Sequence, residues 1–279
     1  MTTFRIGGTA QFFARPPDLE QLIKLVWVAQ KKGIDVRILG AGSNILVEDK
    51  IIKGLVIQLS SPFFQTLQIS DDKVIAYAGV YLNKLVHFCL RHSLTGAEFL
   101  SGIPGTIGGA LVMNAGIRDG NITRQISDIV ECIWVIDYNN GRIKLILAQE
   151  AGFAYRNSTL DKFIVIAAQL GLSKGRKQQI RNKIKKYILR RRDTQDWSYP
   201  NAGCIFKNPP DASAGQLIDS CGLKGAIYGG AQISFRHANF ILNKEKAKCS
   251  DVLNLMRLAQ RCVMKKYGIS LEPEIKIWK

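Results

Sequence analysis

Apolar residues along this chain fall into short runs and helical stripes. Runs at Val36–Leu39, Leu55–Leu59, Val74–Ala78, Ile129–Ile136, Ile143–Leu147 and Phe163–Ala168 predict strands. Asp18 followed by Gln21 forms an N-cap pair that predicts a helix through Lys32. Further helices are predicted at Leu82–Arg91, 176–192, Gly215–Ser220 and about Ser250–Tyr267, with a strand near Phe240–Leu242. Within 176–192, Ile180, Ile184 and Ile188 recur at every fourth position, which predicts one narrow buried stripe on an otherwise solvated helix. Tyr138-Asn139-Asn140-Gly141 predicts a hairpin between two of the strands. The mixture is that of an α+β protein. Ser60-Ser61-Pro62 reads as a boundary, so the expected divisions are 1–60, 61–172 and 173–279.

Composition narrows the class. Of 279 residues 47% are hydrophobic and 22% charged, as in ordinary globular proteins. No apolar stretch approaches the ~18 residues of a membrane span, and the opening Met-Thr-Thr-Phe-Arg-Ile-Gly-Gly has no signal-peptide core. A cytoplasmic protein without membrane insertion is expected. The six cysteines (89, 132, 204, 221, 249 and 262) contain no Cys-x-x-Cys pair, and the three histidines have no ligand spacing, so no metal site is expected. Lys and Arg outnumber Asp and Glu by 39 to 22, a formal charge of +17. The densest run, Arg181–Arg192, is the solvated face of the basic helix, and no nucleic-acid motif accompanies it. The surplus suits anionic small substrates rather than a polynucleotide.

Chemistry concentrates in Ser101–Gly116 (SGIPGTIGGALVMNAG). Glycines at 102, 105, 108, 109 and 116, with Pro104 and Asn114, break it too often for a core helix. Glycine lacks a Cβ, so a ligand can lie against bare amides there, as in phosphate-binding nests. Gly40-Ala41-Gly42-Ser43-Asn44, after the first apolar run, has the same character. Neither is a Rossmann fingerprint or a P-loop. Together they suggest one long ligand, such as a dinucleotide, held at two places; the alternative is that each is simply a tight turn.

The order of these segments resembles the UDP-N-acetylenolpyruvoylglucosamine reductase family. The likeness runs almost end to end. It includes Thr3–Gly8, Gly40–Asn44, Ser101–Gly116, Tyr155-Arg156-Asn157-Ser158, Ala202–Pro209 (AGCIFKNP), Ala214–Gly225, Gly229–Asn243 and Leu271-Glu272-Pro273-Glu274. Length and the lack of an inserted tyrosine-bearing loop match the shorter of two family types. The resemblance implies an FAD-binding fold of two α/β subdomains, PCMH-type or vanillyl-alcohol-oxidase-like, at 1–60 and 61–172. A C-terminal α+β substrate-binding domain would follow at 173–279, its tail from about 270 returning to the flavin site. It also implies FAD and NADPH as cofactors and a UDP-sugar as substrate. Reduced flavin would give a hydride to the vinyl β-carbon of the enolpyruvyl ether, and an acid would protonate the α-carbon.

Site residues follow from the same resemblance. Gly40, Ala41, Gly42, Ser43 and Asn44, with Gly102, Pro104, Gly105, Thr106, Gly108, Gly109, Asn114, Ala115 and Gly116, would hold FAD. Arg156 would brace the substrate carboxylate, a task suited to a planar, permanently charged fork. Glu274 matches the catalytic glutamate, whose carboxyl must carry or share a proton to help an anionic intermediate. Cys204 stands where the family usually has serine as proton donor. A thiol of pKa near 8.5 is mostly protonated at neutral pH and is a stronger acid than an alcohol. Lys207, Asn208 and His237 would contact substrate. Two departures touch this pattern: relatives carry an additional segment before the Thr-Phe-Arg-Ile-Gly-Gly motif, and Phe235 replaces a polar residue.

Overall fold

Burial of the apolar runs groups the chain into two units, one of residues 12–41 and 53–190, the other of 1–11, 42–52 and 191–279. The computed structural model describes residues 1–70, 73–119, 122–138 and 140–279. Asn139 of the predicted hairpin turn lies outside the described residues.

The larger unit is built on a five-stranded antiparallel sheet in the order Ile143–Leu147, Val130–Asp137, Phe163–Gly171, Lys73–Tyr77, Leu67–Ser70. The register Ile136↔Ile143 joins the strands of the predicted hairpin. A parallel pair, Val36–Leu39 with Ile52–Gln58, is aligned at Val36↔Leu55 and is preceded by the helix Leu19–Lys31. Asp18 Oδ1 accepts from Gln21 N–H at 2.9 Å, the N-cap read from sequence. The helices Leu19–Lys31 and Leu82–Arg91 bury Leu22, Val26, Leu82, Leu85 and Val86.

Two expectations need correction here. Ile107–Val112 is a helix, although its glycines argued for a loop throughout. Ile107, Ala110 and Leu111 are buried on it, and a Cβ on Gly108 would lie 3.1 Å from that of Ala78. Close packing against the strand end outweighs the helix cost of two glycines, about 1 kcal/mol each. The basic helix spans Lys177–Thr194, yet only Ile180 and Ile184 of its stripe are buried, and Ile188 is 46% exposed. The stripe continues instead through Tyr187, which packs against the same core as Ile180 and Ile184.

In the smaller unit, Ile227–Tyr228, Ala231–Ile233 and Ile241–Asn243 form an antiparallel sheet. The helices Ala214–Ser220 and Cys249–Tyr267 accompany it. Phe4, Ile6 and Leu46 join Phe206, Ile218, Ile233, Val252 and Leu255 in one core. The tail strand Lys276–Trp278 pairs in parallel with Ile45–Val47, directly after the first glycine loop.

Candidate active site

In the larger unit the two glycine-rich segments meet. A Cβ on Gly40 would lie 2.7 Å from Thr106 Oγ1, so the first loop approaches the second at a distance only glycine permits. Of the second segment's amides, Ile107 donates to Val80 C=O and Gly108 to Ala78 C=O, both at 2.9 Å. Those of Gly102, Gly105 and Thr106 meet no acceptor among the described residues. Gly102 holds a φ of +75°. Ser101 is 3% exposed, and its Oγ is buried with no hydrogen-bond partner among the described residues. The amides of Gly102, Gly105 and Thr106, without acceptors among the described residues, fit a ligand rich in acceptor oxygens, as a dinucleotide diphosphate is.

Arg156 sits beside this segment on a tight turn. Ala154 and Asn157 exchange N–H···O=C bonds of 3.0 and 3.2 Å, and Arg156 occupies the third turn position at φ +54°. An L-residue other than Asn or Gly seldom holds that conformation, and such strain concentrates at functional positions. The guanidinium lies 5.3 Å above the Tyr155 ring and donates to Gly116 C=O at 3.1 Å. Asn114, expected to bind cofactor, commits its side chain to this scaffold. Its Nδ2 donates to Ala154 C=O (3.0 Å) and Gln125 Oε1 (3.1 Å), and its Oδ1 accepts from Ser127 N–H. Ala115 N–H donates to Ala110 C=O, and a Cβ on Gly116 would lie 2.1 Å from Arg124 O.

The smaller unit brings Cys204 and Glu274 onto adjacent extended segments. Ile205, next to Cys204, accepts from Glu274 N–H at 2.8 Å, while Cys204 itself bridges to Phe240. Asn44 Nδ2 donates to Glu274 C=O at 3.1 Å, and Asn44 C=O accepts from Lys276 N–H at 2.9 Å. The first loop's last residue thus anchors the tail. Gly42 C=O receives Thr3 N–H at 3.1 Å. Lys207 Nζ lies 3.5 Å from Glu272 Oε2, an exposed pair worth little by itself. Asn208 Oδ1 accepts from Ala214 N–H at 3.0 Å and so steadies the start of a helix. His237 Nδ1 accepts from Asn239 N–H (3.2 Å), and its ring centroid lies 4.6 Å from that of Phe240. Burial, with Lys224 nearby, holds its pKa below the ordinary 6.5, so the ring is neutral with the proton on Nε2. By contrast, burial pushes the Cys89 thiol up to about 12, leaving it an inert apolar filler.

Two models of known domains match the chain: an FAD binding domain over residues 10–146 and the UDP-N-acetylenolpyruvoylglucosamine reductase C-terminal domain over 195–278. A UDP-N-acetylenolpyruvoylglucosamine reductase of Caldanaerobacter subterraneus is 42% identical over 99% of this chain and 90% of its own length. The chain belongs to the UDP-N-acetylenolpyruvoylglucosamine reductase family. A reductase so named from Moorella thermoacetica is 40% identical over the same shares. The crystal structure of the Thermus caldophilus reductase superposes with a TM-score of 0.83 at 36% identity, covering 100% of this chain and 96% of that one. The fold expected of the family, an FAD-binding region followed by a C-terminal α+β domain, is the fold of this chain. No helix of the described residues is long and apolar enough to cross a membrane.

Sequence reasoning missed Ser101, whose hydroxyl is buried without a hydrogen-bond partner among the described residues, although the serine heads the glycine segment. It also missed the side chain of Asn239, whose signal is an amide flanked by Ala238 and Phe240 in an apolar run.

Proposed function

We propose that this chain is an FAD-containing oxidoreductase that uses NADPH to reduce the enolpyruvyl ether of UDP-N-acetylglucosamine to the lactyl ether, UDP-N-acetylmuramate, for peptidoglycan in the cytoplasm. The functional divisions would be two FAD-binding subdomains at 1–60 and 61–172 and a substrate-binding domain at 173–279. The loops Gly40–Asn44 and Gly102–Gly116 would hold FAD, with the amides of Gly102, Gly105 and Thr106 available to it. Bound FAD would supply a hydride equivalent to the vinyl β-carbon. Arg156 holds the substrate carboxylate and stabilises the charge that gathers on it. Cys204 is the acid that delivers a proton to the α-carbon. Glu274, as an acid or sharing a proton, supports the same carboxylate. Lys207, Asn208 and the Nε2–H of His237 would contact the UDP-sugar, and the +17 surplus draws it in.

The observation that carries this reading is the 2.8 Å bond between Glu274 N–H and Ile205 C=O, which ties both acid segments into one lattice. The decisive test is anaerobic. Yellow purified protein is reduced with NADPH and then mixed with the UDP-enolpyruvyl sugar, and recovery of the oxidised flavin spectrum is expected. Flavin that stays reduced makes this a different FAD enzyme on the same scaffold. Colourless folded protein that binds nucleic acid instead would overturn the FAD assignment as well.

A further inference from the structure

The segment carrying Cys204, Lys207 and Asn208 lies outside the regular sheets of its unit and is held by a mixed set of partners. On one side Ile205 C=O accepts from Glu274 N–H (2.8 Å) and Lys207 N–H donates to Glu272 C=O (2.9 Å). On the other, Ile205 N–H donates to Asn239 C=O (2.9 Å). Phe206, between them, finds its partner in a side chain. Asn239 Oδ1 accepts from Phe206 N–H (2.9 Å) and Asn239 Nδ2 donates to Phe206 C=O (2.8 Å). Both residues are only 2% exposed, so water cannot replace these bonds. A primary amide offers donor and acceptor on one carbon, which an ionised carboxylate or a hydrocarbon cannot. Asn239 is in turn steadied by its own N–H to His237 Nδ1.

From this clasp we infer that Asn239 is a positioning residue: it sets the reach of the Cys204 thiol and of Lys207 by locking the backbone midway between them. The inference rests on the reductase reading above. It acts on the proton-delivering step and leaves reduction by NADPH alone, since no residue of the glycine loops contributes to the clasp.

The test uses the FAD-loaded full chain with Asn239→Asp and Asn239→Ala, following the two half-reactions separately. Flavin reduction by NADPH is expected near the parental rate in both. Reoxidation by the UDP-enolpyruvyl sugar is expected to slow about 100-fold, the cost of a displacement near 1 Å. Asn239→Asp carries a second signature. A neutral carboxylic acid supplies both the donor and the acceptor, and burial raises its pKa, so its reoxidation rate relative to the parent should recover as pH falls. Asn239→Ala should show no recovery. Alkylation of Cys204 by iodoacetamide, read by peptide mass, should change rate in both variants. Parental reoxidation rates would overturn the inference, as would equal loss in both half-reactions or loss of FAD and fold in both variants. Should the parent itself fail to reoxidise, the reductase reading falls. An unchanged Cys204 alkylation rate would then sink the positioning role separately, and a changed one would uphold it.

Discussion

The two units prepare their chemistry in opposite ways. In the larger, the glycine segment presents main chain: the amides of Gly102, Gly105 and Thr106 have no acceptor among the described residues, and Arg156 stands beside it on a strained turn. In the smaller, the backbone around Ile205, Phe206 and Lys207 is bonded on both sides and carries the candidate side chains of Cys204, Lys207 and Asn208. A site that recognises through bare amides tolerates no added carbon. One that reacts through a thiol and a carboxyl tolerates no loose main chain. The same comparison separates Ser101 from Asn239: the first is a buried hydroxyl with no hydrogen-bond partner among the described residues, the second a buried amide used up in holding another segment.

Substitutions can break or sharpen this contrast. Cys204→Ala should leave flavin reduction by NADPH near normal and slow reoxidation by the UDP-enolpyruvyl sugar about 10²- to 10⁴-fold, the usual worth of a positioned acid. Cys204→Ser should retain much of the activity. Stopped-flow absorbance separates the two steps, and a parental rate in the alanine variant removes the thiol from the mechanism. Arg156→Lys keeps the charge but loses the fork, and kcat should fall roughly 100-fold. Steady-state kinetics that show a change in KM alone would reduce Arg156 to a binding group.

Gly40→Val tests the backbone side of the contrast. A side chain there must displace Thr106, at a cost of about 1–3 kcal/mol, or roughly 10- to 100-fold in FAD affinity by fluorescence titration. Ser101→Ala should change sign with the cofactor. It removes an unsatisfied hydroxyl from the FAD-free protein, stabilising it by about 1 kcal/mol in urea, while weakening FAD by a similar amount. Destabilisation of both forms would mean that Ser101 is already partnered. The smallest effect belongs to His237. Its folded pKa lies below 6.5, so its contribution to stability is complete above that pH and is lost as pH falls from about 6.5 toward the lower folded value. Urea midpoints between pH 7 and 5 should drop less in His237→Asn, whose Oδ1 can replace Nδ1 as acceptor. Parallel curves would remove His237 from the acid sensitivity.

Much of the fold was legible because local rules and burial agreed. Ile143–Leu147 and Val36–Leu39 have their predicted bounds, and the Asp18 cap has its predicted partner. Legibility failed where a remote neighbour decided the outcome. Ala78 leaves room for the helix to approach at Gly108. Ile45–Val47 is a strand because the far tail pairs with it, and neither three-residue piece has a period to read. Phe4 and Ile6 join a core formed mostly of residues beyond 200.

The chemical inventory of the candidate site was legible in the chain alone: two glycine-rich segments, an arginine in Tyr-Arg-Asn-Ser, and a thiol and a glutamate in short motifs, recognisable through their resemblance to the motifs of the family. Tertiary structure decided which of these stand together and which polar groups are consumed in holding them. Asn114 and Asn208 went partly to scaffolding, Asn44 to the tail, and the buried Ser101 hydroxyl has no partner among the described residues. Residue type specifies what a hydrogen-bonding group can do. Only the packing of distant segments determines whether its partner is already inside the protein.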